Sequence, residues 1–212
     1  MPDATQHNVN GAPCHRRLDP AELRNTRLRL LREAYRRGGD HAAVLFDTEF
    51  LGDADKPTVM EAILRAALTV GGADFCDLQV HDRQEGALRI RAQHGFRPAF
   101  LSFFASITTG HPTACAKALV TRTPVLVDDV TRSPIFVGQP TLAPILDAGI
   151  RSVASYPLLD GGPQPLGVLS LHYSRPGFGR GAPELVALGA ATALKHFPPD
   201  GDGPGHWYNF TL

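Results

Sequence analysis

The sequence of 212 residues predicts an α+β fold in which helices flank one antiparallel sheet. Two regions, 75–94 and 152–172, alternate apolar and polar residues on both sides of a turn, which is the pattern of a β-hairpin. Segments with helical periodicity lie before, between and after these hairpins. The chain carries 21 basic and 21 acidic residues and is 43% hydrophobic, a composition that excludes a collagen-like or largely disordered polymer.

The N-terminal region is predicted to contain a basic amphipathic helix with clear ends. Asp19 suits the N-cap, Pro20 suits the first helical position, and Gly38-Gly39 can end the helix after Arg37. From Arg16 to Arg37, eight arginines oppose three acidic residues, so this segment carries +5 and the rest of the neutral chain carries −5. Leucines form an apolar stripe beside the arginines, so we expect the helix to pack on its own domain or on a second copy. A nucleic-acid or membrane contact is the alternative.

The main body of the chain is predicted to follow the order helix, hairpin, helices, strand, helix, hairpin, helix. Gly71-Gly72 is expected to end the first of these helices, and Pro198-Pro199 to follow the last. The predicted elements are a helix Pro57–Val70, strands from Phe75 to His81 and from Ala87 to His94, short helices Phe100–Phe104 and Ala114–Val120, a strand Pro124–Val127, a helix Gln139–Ala148, strands Ser152–Leu159 and Pro165–His172, and a helix Ala182–His196.

Composition divides the chain into four parts. They are a disordered lead (1–18), the basic helix with its connector (19–56), the folded domain (57–197), and a Gly/Pro linker with an aromatic tail (198–212). The tail holds the single tryptophan, and we expect its aromatic residues to dock on a neighbouring surface of the same chain or of a partner.

Several function classes are disfavoured by composition. A neutral chain lacks the basic excess of most proteins that grip a nucleic-acid backbone. Three scattered cysteines without a CxxC pair do not form a disulfide framework, and there is neither a signal-peptide pattern nor an apolar run of about 20 residues. These features predict a cytoplasmic protein that does not enter a membrane. The excess of arginine (18) over lysine (3) suggests a bacterial, GC-rich genome.

Three stretches of the sequence resemble the GAF domain family. The first is GADFCDLQVHDRQEGALRIRAQHGF, whose second strand ends in His94-Gly95. The second is GHPTACAKALVTRTPVLVDDVTRSPIF, which is similar to the family's middle helix and the strand that follows it. The third is AGIRSVASYPLLDGGPQPLGVLSLHYSRP, which resembles the closing hairpin. The pair Cys115-Ala116 stands where many members have Cys-Gly, and we expect only a local change in helix packing there.

The resemblance implies a six-stranded antiparallel sheet with the terminal helices on one face. On the other face, loops and short helices would enclose a pocket. Family members bind cyclic nucleotides, tetrapyrroles, haem or other small molecules, and many are dimeric signalling modules. The apolar loop-side residues could equally fill the space themselves. The candidate pocket residues are Phe100, Phe104, His111, Cys115, Leu126, Asp129, Phe136, Leu146, Arg151, Val153 and Ser155.

Specific chemistries have weaker support in the sequence. Free methionine sulfoxide reductases are GAF domains that use clustered cysteines, whereas here the loop 124–149 has none. Bilin attachment could use Cys115 beside His111. Haem could use His94, His111 or His172, and a phosphate ligand could use Arg132 or Arg151. The alternative for Arg151 is a purely structural role, as an ion pair with Asp128 or Asp129.

We therefore expect a non-catalytic small-molecule sensor or regulatory domain that signals through a homodimer or a partner protein. The dimer surface would come from the terminal helices. The sequence requires no cofactor and assigns no catalytic residue and no metal ligand. The alternatives are a ligand-free dimerisation scaffold, a thiol-dependent enzyme resembling free methionine sulfoxide reductase, and a tetrapyrrole- or haem-binding domain.

Overall fold

The structure is a computed structural model that describes residues 41–179, 181–197, 208–210 and 212. The predicted lead, the predicted basic helix Asp19–Arg37 and the tryptophan Trp207 lie outside these residues. Among the described residues, no helix has the length and apolar character needed to cross a bilayer.

The domain opens with short helical segments that pack on the sheet. A 3-10 turn, Ala43–Phe46, leads into α1 (Thr48–Asp53) and α2 (Lys56–Gly71). Asp55 caps α2, because its carboxylate accepts a hydrogen bond from the Thr58 amide at 2.9 Å. Gly72 ends α2 in the left-handed conformation with φ of 60°, which a residue without a Cβ adopts without strain. The predicted first helix of the domain is confirmed.

Both predicted hairpins are present and lie side by side in one sheet. The first consists of β1 (Phe75–Asp82) and β2 (Ala87–His94), and the second of β5 (Ser152–Leu158) and β6 (Gly167–Tyr173). β1 pairs antiparallel with β6, so the two hairpins share the centre of the sheet. The order is β3-β2-β1-β6-β5-β4, with β3 at Ile107–Thr108 and β4 at Val125–Val127. This six-strand path confirms the predicted antiparallel sheet.

Four further helices complete the domain, and two of them are shorter than predicted, the last one covering Pro183–Leu194 instead of Ala182–His196. α5 covers only Leu142–Asp147 instead of Gln139–Ala148. Pro140 explains the difference, because the residue before a proline avoids helical angles and the proline itself favours the start of a helix. The others are α3 (Pro98–Phe103), α4 (Ala114–Thr121) and α6 (Pro183–Leu194).

The sheet separates two apolar clusters. On one face, alternate residues of β1, β5 and β6 pack against α2 and α6. On the opposite face, the other residues of these strands face α3, α4 and the loops. The residues of β5 alternate between the two clusters, since Ala154 and Leu158 lie in the helix-side cluster and Val153 lies in the loop-side cluster. One face of the sheet therefore supports a helical layer, and the other supports the candidate site.

The described part of the C-terminal tail docks on its own chain. Tyr208–Asn209 forms β7, which runs parallel to β2 and pairs with Ala92 and Gln93. Phe210 is 9% exposed and belongs to the helix-side cluster. The prediction that the tail aromatics dock is confirmed for these residues.

Candidate functional site

The loop-side face of the sheet is unusually polar at its centre. Strand alternation directs Asp77 and Gln79 of β1 and Ser170 and His172 of β6 to this side, while their neighbours face the helices. All four are buried, with Asp77 3% and Gln79 2% exposed. We call Asp77, Gln79, Ser155, Ser170 and His172 the polar floor.

The polar floor is only partly satisfied by its own hydrogen bonds. His172 Nε2 lies 2.9 Å from Asp77 Oδ1. The hydroxyls of Ser155 and Ser170 are 2.9 Å apart. In the described part of the chain, Gln79 Oε1 and His172 Nδ1 are buried without a hydrogen-bond partner. Such atoms are rare in folded proteins and commonly indicate a bound water, ion or ligand.

An aromatic wall closes the space above the polar floor. Phe96 and Phe100 stack with ring centroids 4.1 Å apart and planes 7° apart, and Phe104 continues the cluster 4.5 Å from Phe100. The His172 ring meets the face of Phe96 edge-on at 5.0 Å. Arrangements of this kind stabilise aromatic pairs beyond their area burial. The wall therefore holds the imidazole as well as closing the space.

Between the floor and the wall lies a cavity with a volume of about 30 Å³. That volume accommodates one or two water molecules and is well below the roughly 300 Å³ of a typical ligand site. A larger ligand must therefore move part of the wall. The lining residues are Asp77, Gln79, Phe100, Phe104, Thr113, Ala114, Cys115, Phe136, Ile145, Val153, Ser155, Ser170 and His172.

The structure brings together six of the eleven residues that the sequence placed in the pocket. Their role in ligand binding remains a prediction. Five others lie elsewhere. The six that line the cavity are Phe100, Phe104, Cys115, Phe136, Val153 and Ser155. The five that do not line it are His111, Leu126, Asp129, Leu146 and Arg151.

Local geometry explains why these five residues point elsewhere. Leu126 is 53% exposed because β4 buries its two neighbours and turns Leu126 outward. His111 is exposed, and its Nδ1 accepts a hydrogen bond from the Thr108 amide. Leu146 packs at the margin of the loop-side cluster without reaching the cavity.

Asp129 and Arg151 serve the loop that follows β4. The Asp129 carboxylate accepts hydrogen bonds from the hydroxyl and the amide of Thr131, and the first of these holds its pKa below the ordinary range. Arg151 Nη1 donates to the Ile150 carbonyl at 3.1 Å. Among the described residues no ion pair joins Arg151 to Asp128 or Asp129, so that expected pairing is not formed.

Sequence reasoning named Ser155 and His172 of the polar floor but missed Asp77, Gln79 and Ser170. Asp77 and Gln79 alternate with Cys76 and Leu78, a pattern that on its own favours one solvated face. Only the tertiary structure shows that this face is covered, because Phe100 and Phe104 line the cavity above Asp77 and Gln79. The available signal was the presence of alternating polar residues in one strand of each predicted hairpin, Asp77 and Gln79 in the first and Ser170 and His172 in the second.

The two described cysteines cannot work as a pair. Cys76 lies in the helix-side cluster, whereas Cys115 lines the cavity on the opposite face of the sheet. Burial raises the pKa of the Cys115 thiol to about 11, although a hydrogen bond with Thr113 opposes the shift. Burial also raises the pKa of Cys76. Both thiols are therefore protonated near neutral pH, and Cys14 lies outside the described residues.

We expect the alkylation of Cys115 to rise with pH around pH 11, because only the thiolate reacts. The ordinary value is 9.0, so between pH 9.0 and about 11 the folded protein keeps a proton that the unfolded chain has lost. The contribution of the Cys115 thiol to the free energy of unfolding is fully present below pH 9 and is lost as the pH rises toward about 11. Mass spectrometry of the iodoacetamide-labelled Cys115 peptide measures the midpoint. A midpoint below pH 8 would indicate an activated thiol instead.

A second, more open groove lies on the outer edge of the helix-side layer. Its volume is about 170 Å³, and its lining includes Tyr156, Glu184 and Leu188. Arg122 borders it and donates hydrogen bonds to the carbonyls of Gly162 and Pro163 at 3.0 Å. The lining has no unpaired buried polar atom comparable to those of the polar floor. The cavity is therefore the better candidate for ligand recognition.

An antiparallel sheet that separates a helical layer from a cavity roofed by loops and short helices is the arrangement expected of a GAF-type domain. The profile of the GAF domain family matches residues 53–193. The chain therefore belongs to the GAF domain family, whose members commonly act in sensing or regulation. No curated protein matched the sequence.

Solved structures with the same fold include domains of varied function. One is the GAF domain region of a Geobacter sulfurreducens protein, with 23% identity and a TM-score of 0.54 over 66% of this chain and 92% of that chain. Another is the GAF domain of a Coxiella burnetii phosphoenolpyruvate-protein phosphotransferase, with 17% identity and a TM-score of 0.53 over 80% and 93%. A type II free methionine-R-sulfoxide reductase from Thermoplasma acidophilum has 16% identity and a TM-score of 0.50 over 76% and 98%. These similarities show the fold alone.

Proposed function

We propose that this chain is a non-catalytic regulatory domain that binds a compact amine or a similar N–H donor in the cavity above the polar floor. The observation that carries the proposal is the unpaired, buried Gln79 Oε1 beside the carboxylate of Asp77. Both groups accept hydrogen bonds, so they complement a ligand that donates them. Aromatic rings above the floor add a favourable environment for a cationic group.

The cavity has little to offer an anion. Asp77 is its one carboxylate, His172 its one imidazole, and no Arg or Lys is among its lining residues. A phosphate or carboxylate ligand would meet a buried acid without a cation to compensate, which is electrostatically unfavourable. The charges of the lining therefore favour an amine over a cyclic nucleotide, and the small volume disfavours haem or a bilin.

Methylammonium is a suitable probe because its two heavy atoms match a cavity of this size. We expect saturable amide chemical-shift changes that are confined to the cavity-lining residues, with a dissociation constant in the millimolar range. Gln79→Leu should weaken binding about tenfold, since it removes the unpaired acceptor. Nuclear magnetic resonance titration at constant ionic strength measures both.

Methanol and formate serve as the controls for this titration. Methanol has the same number of heavy atoms but no charge, and formate is a small anion. Both should bind more weakly than methylammonium. Saturable binding of formate alone, or no saturable shift with any of the three molecules, would contradict the proposal.

The protonation and the separation of the two described cysteines support a binding role over thiol chemistry. The T. acidophilum reductase shows that the fold can belong to an enzyme. In this chain, the cavity thiol of Cys115 is held protonated by burial, and Cys76 lies across the sheet. Thiol-disulfide chemistry requires a thiolate with a second thiol within reach. Neither condition is met by these two cysteines.

A ligand-free dimerisation scaffold is the second candidate function. The small cavity and the close stacking of Phe96 on Phe100 favour it, since a self-filled interior needs no ligand. Leu185 and Leu188 of α6 are 45% and 54% exposed, one turn apart and beside the 170 Å³ groove. A second copy would present the same surface, as a twofold dimer requires. Sedimentation of the full chain as a monomer would contradict this dimer.

A further inference from the structure

One buried side chain of the sheet, Gln93, contacts the C-terminal tail. Gln93 Nε2 donates to Asn209 Oδ1 at 2.6 Å, and the Gln93 carbonyl accepts from the Phe210 amide at 3.2 Å. The neighbouring His94 Nδ1 lies 2.9 Å from the Phe210 carbonyl. Gln93 has no exposed surface, so its amide makes these contacts without competition from water.

The opposite end of the same amide holds the aromatic wall. Gln93 Oε1 accepts a hydrogen bond from the Phe96 amide at 3.0 Å. Phe96 in turn stacks on Phe100, which lines the cavity. One side-chain amide therefore joins the tail on its nitrogen side to the cavity wall on its oxygen side.

We propose that docking of the tail and closure of the aromatic wall are coupled through Gln93, so that a ligand that opens the wall releases the tail. The proposal concerns the regulation of the cavity and rests on the proposed function only for the identity of the ligand. Coupling of this kind is reciprocal, so loss of the tail contact must also loosen the wall.

The size of the cavity supplies the physical reason. A ligand larger than about 30 Å³ displaces Phe100, and Phe96 stacks on Phe100 too closely to stay in place. Movement of the Phe96 backbone breaks or redirects its hydrogen bond to Gln93. A buried amide that turns to follow one partner loses the other, which here is Asn209. The tail strand then keeps its backbone bonds, its contacts with His94 and the burial of Phe210, but loses its side-chain link to the wall.

Release of the tail would expose two adjacent features. The edge of β2 at Ala92 and Gln93 would lose its parallel partner, and the helix-side site of Phe210 would open. An unpaired strand edge beside an apolar site can accept an extended segment of another protein. Binding of a ligand in the cavity would therefore change the surface that the domain presents to a partner protein.

The test uses Cys115 as a reporter of the wall and Cys76 as a reporter of the opposite face. Asn209→Ala removes the contact to Gln93 Nε2 while the backbone of β7 and Phe210 remain. We expect the alkylation rate of Cys115 at fixed pH to rise about fivefold. The loss of one net hydrogen bond would increase the population of molecules with an open wall by about that factor. The rate at Cys76 should stay constant, which separates local opening from global unfolding.

Asn209→Asp is the matched control, because its carboxylate keeps an acceptor for Gln93 Nε2, and it should retain the original Cys115 rate. The reverse direction is tested with piperidinium, an amine too large for the closed cavity, which should speed hydrogen exchange at the Phe210 amide, since that amide is bonded to the Gln93 carbonyl. An unchanged Cys115 rate in Asn209→Ala, or parallel increases at both cysteines, would overturn the coupling.

The two proposals fail in different ways. If methylammonium does not bind but Asn209→Ala accelerates the Cys115 reaction, the ligand class is wrong and the coupling stands. If methylammonium binds in the cavity but Asn209→Ala changes nothing, the ligand class stands and the coupling is overturned.

Discussion

Gly167→Ala is expected to lower the free energy of unfolding by about 3 kcal/mol, at the upper end of the range for overpacked interiors. Gly167 begins β6 and lies between Val80 of β1 and Leu158 of β5. A Cβ at this position would overlap the Gln79 carbonyl oxygen and lie 3.0 Å from the Val80 Cα. The obstacle is backbone on a central strand, so no side-chain rotation can relieve it. Urea denaturation measures the loss.

Gly52→Ala is the matched control for this variant. Gly52 lies in α1, and a Cβ there would meet no atom within 4 Å. Alanine is the better helix former by up to about 1 kcal/mol, so this variant should be neutral or slightly stabilised. Equal denaturation midpoints for the two variants would show that the close approach of β6 to β1 is wrong.

Asp77→Leu is expected to lower the free energy of unfolding by about 3 kcal/mol, because it leaves the His172 imidazole buried without its acid. Adding His172→Phe should restore most of the loss. The new ring would join Phe96 and Phe100, which already contact the imidazole. A polar pair replaced by apolar groups of similar shape is commonly near neutral in stability.

The double variant separates the structural role of the pair from its role in binding. It should fold with near-original stability and yet give no saturable shift with methylammonium, because the acidic acceptor is gone. Thermal unfolding and the same titration measure the two properties. Additive destabilisation by the two substitutions would show that they do not interact. If the double variant still binds methylammonium, Asp77 does not take part in binding.

The secondary structure of the domain could be predicted because it depends on patterns of residues that are close together in the sequence. Alternation in 75–94 and 152–172 sets strand faces, and local signals such as Gly71-Gly72 set helix ends. These patterns depend on neighbours within a few positions, so they survive without knowledge of the tertiary contacts. Val153 and Ser155, two of the residues expected in the pocket, both line the cavity, and their role in ligand binding stays a prediction.

The site itself depended on which strands become neighbours. Asp77 and His172 are 95 positions apart in the chain, and their contact exists only because β1 pairs with β6. Leu126 was expected in the pocket from its apolar character, but the pleat of a three-residue strand turned it to solvent. Phe100 and Phe104 line the cavity, and the stacking of Phe96 on Phe100 closes the space above the polar floor, so the cavity has room for only one or two waters.

The sequence by itself determined the α+β class, the two hairpins and the GAF-type order of elements, because hydrophobic periodicity and turn residues act locally. Tertiary structure alone decided which polar residues are buried together, how small the cavity is, and that the tail reaches the wall through Gln93. Those properties arise from contacts between residues far apart in the chain. Such contacts bury polar side chains that the local sequence pattern alone would place in solvent.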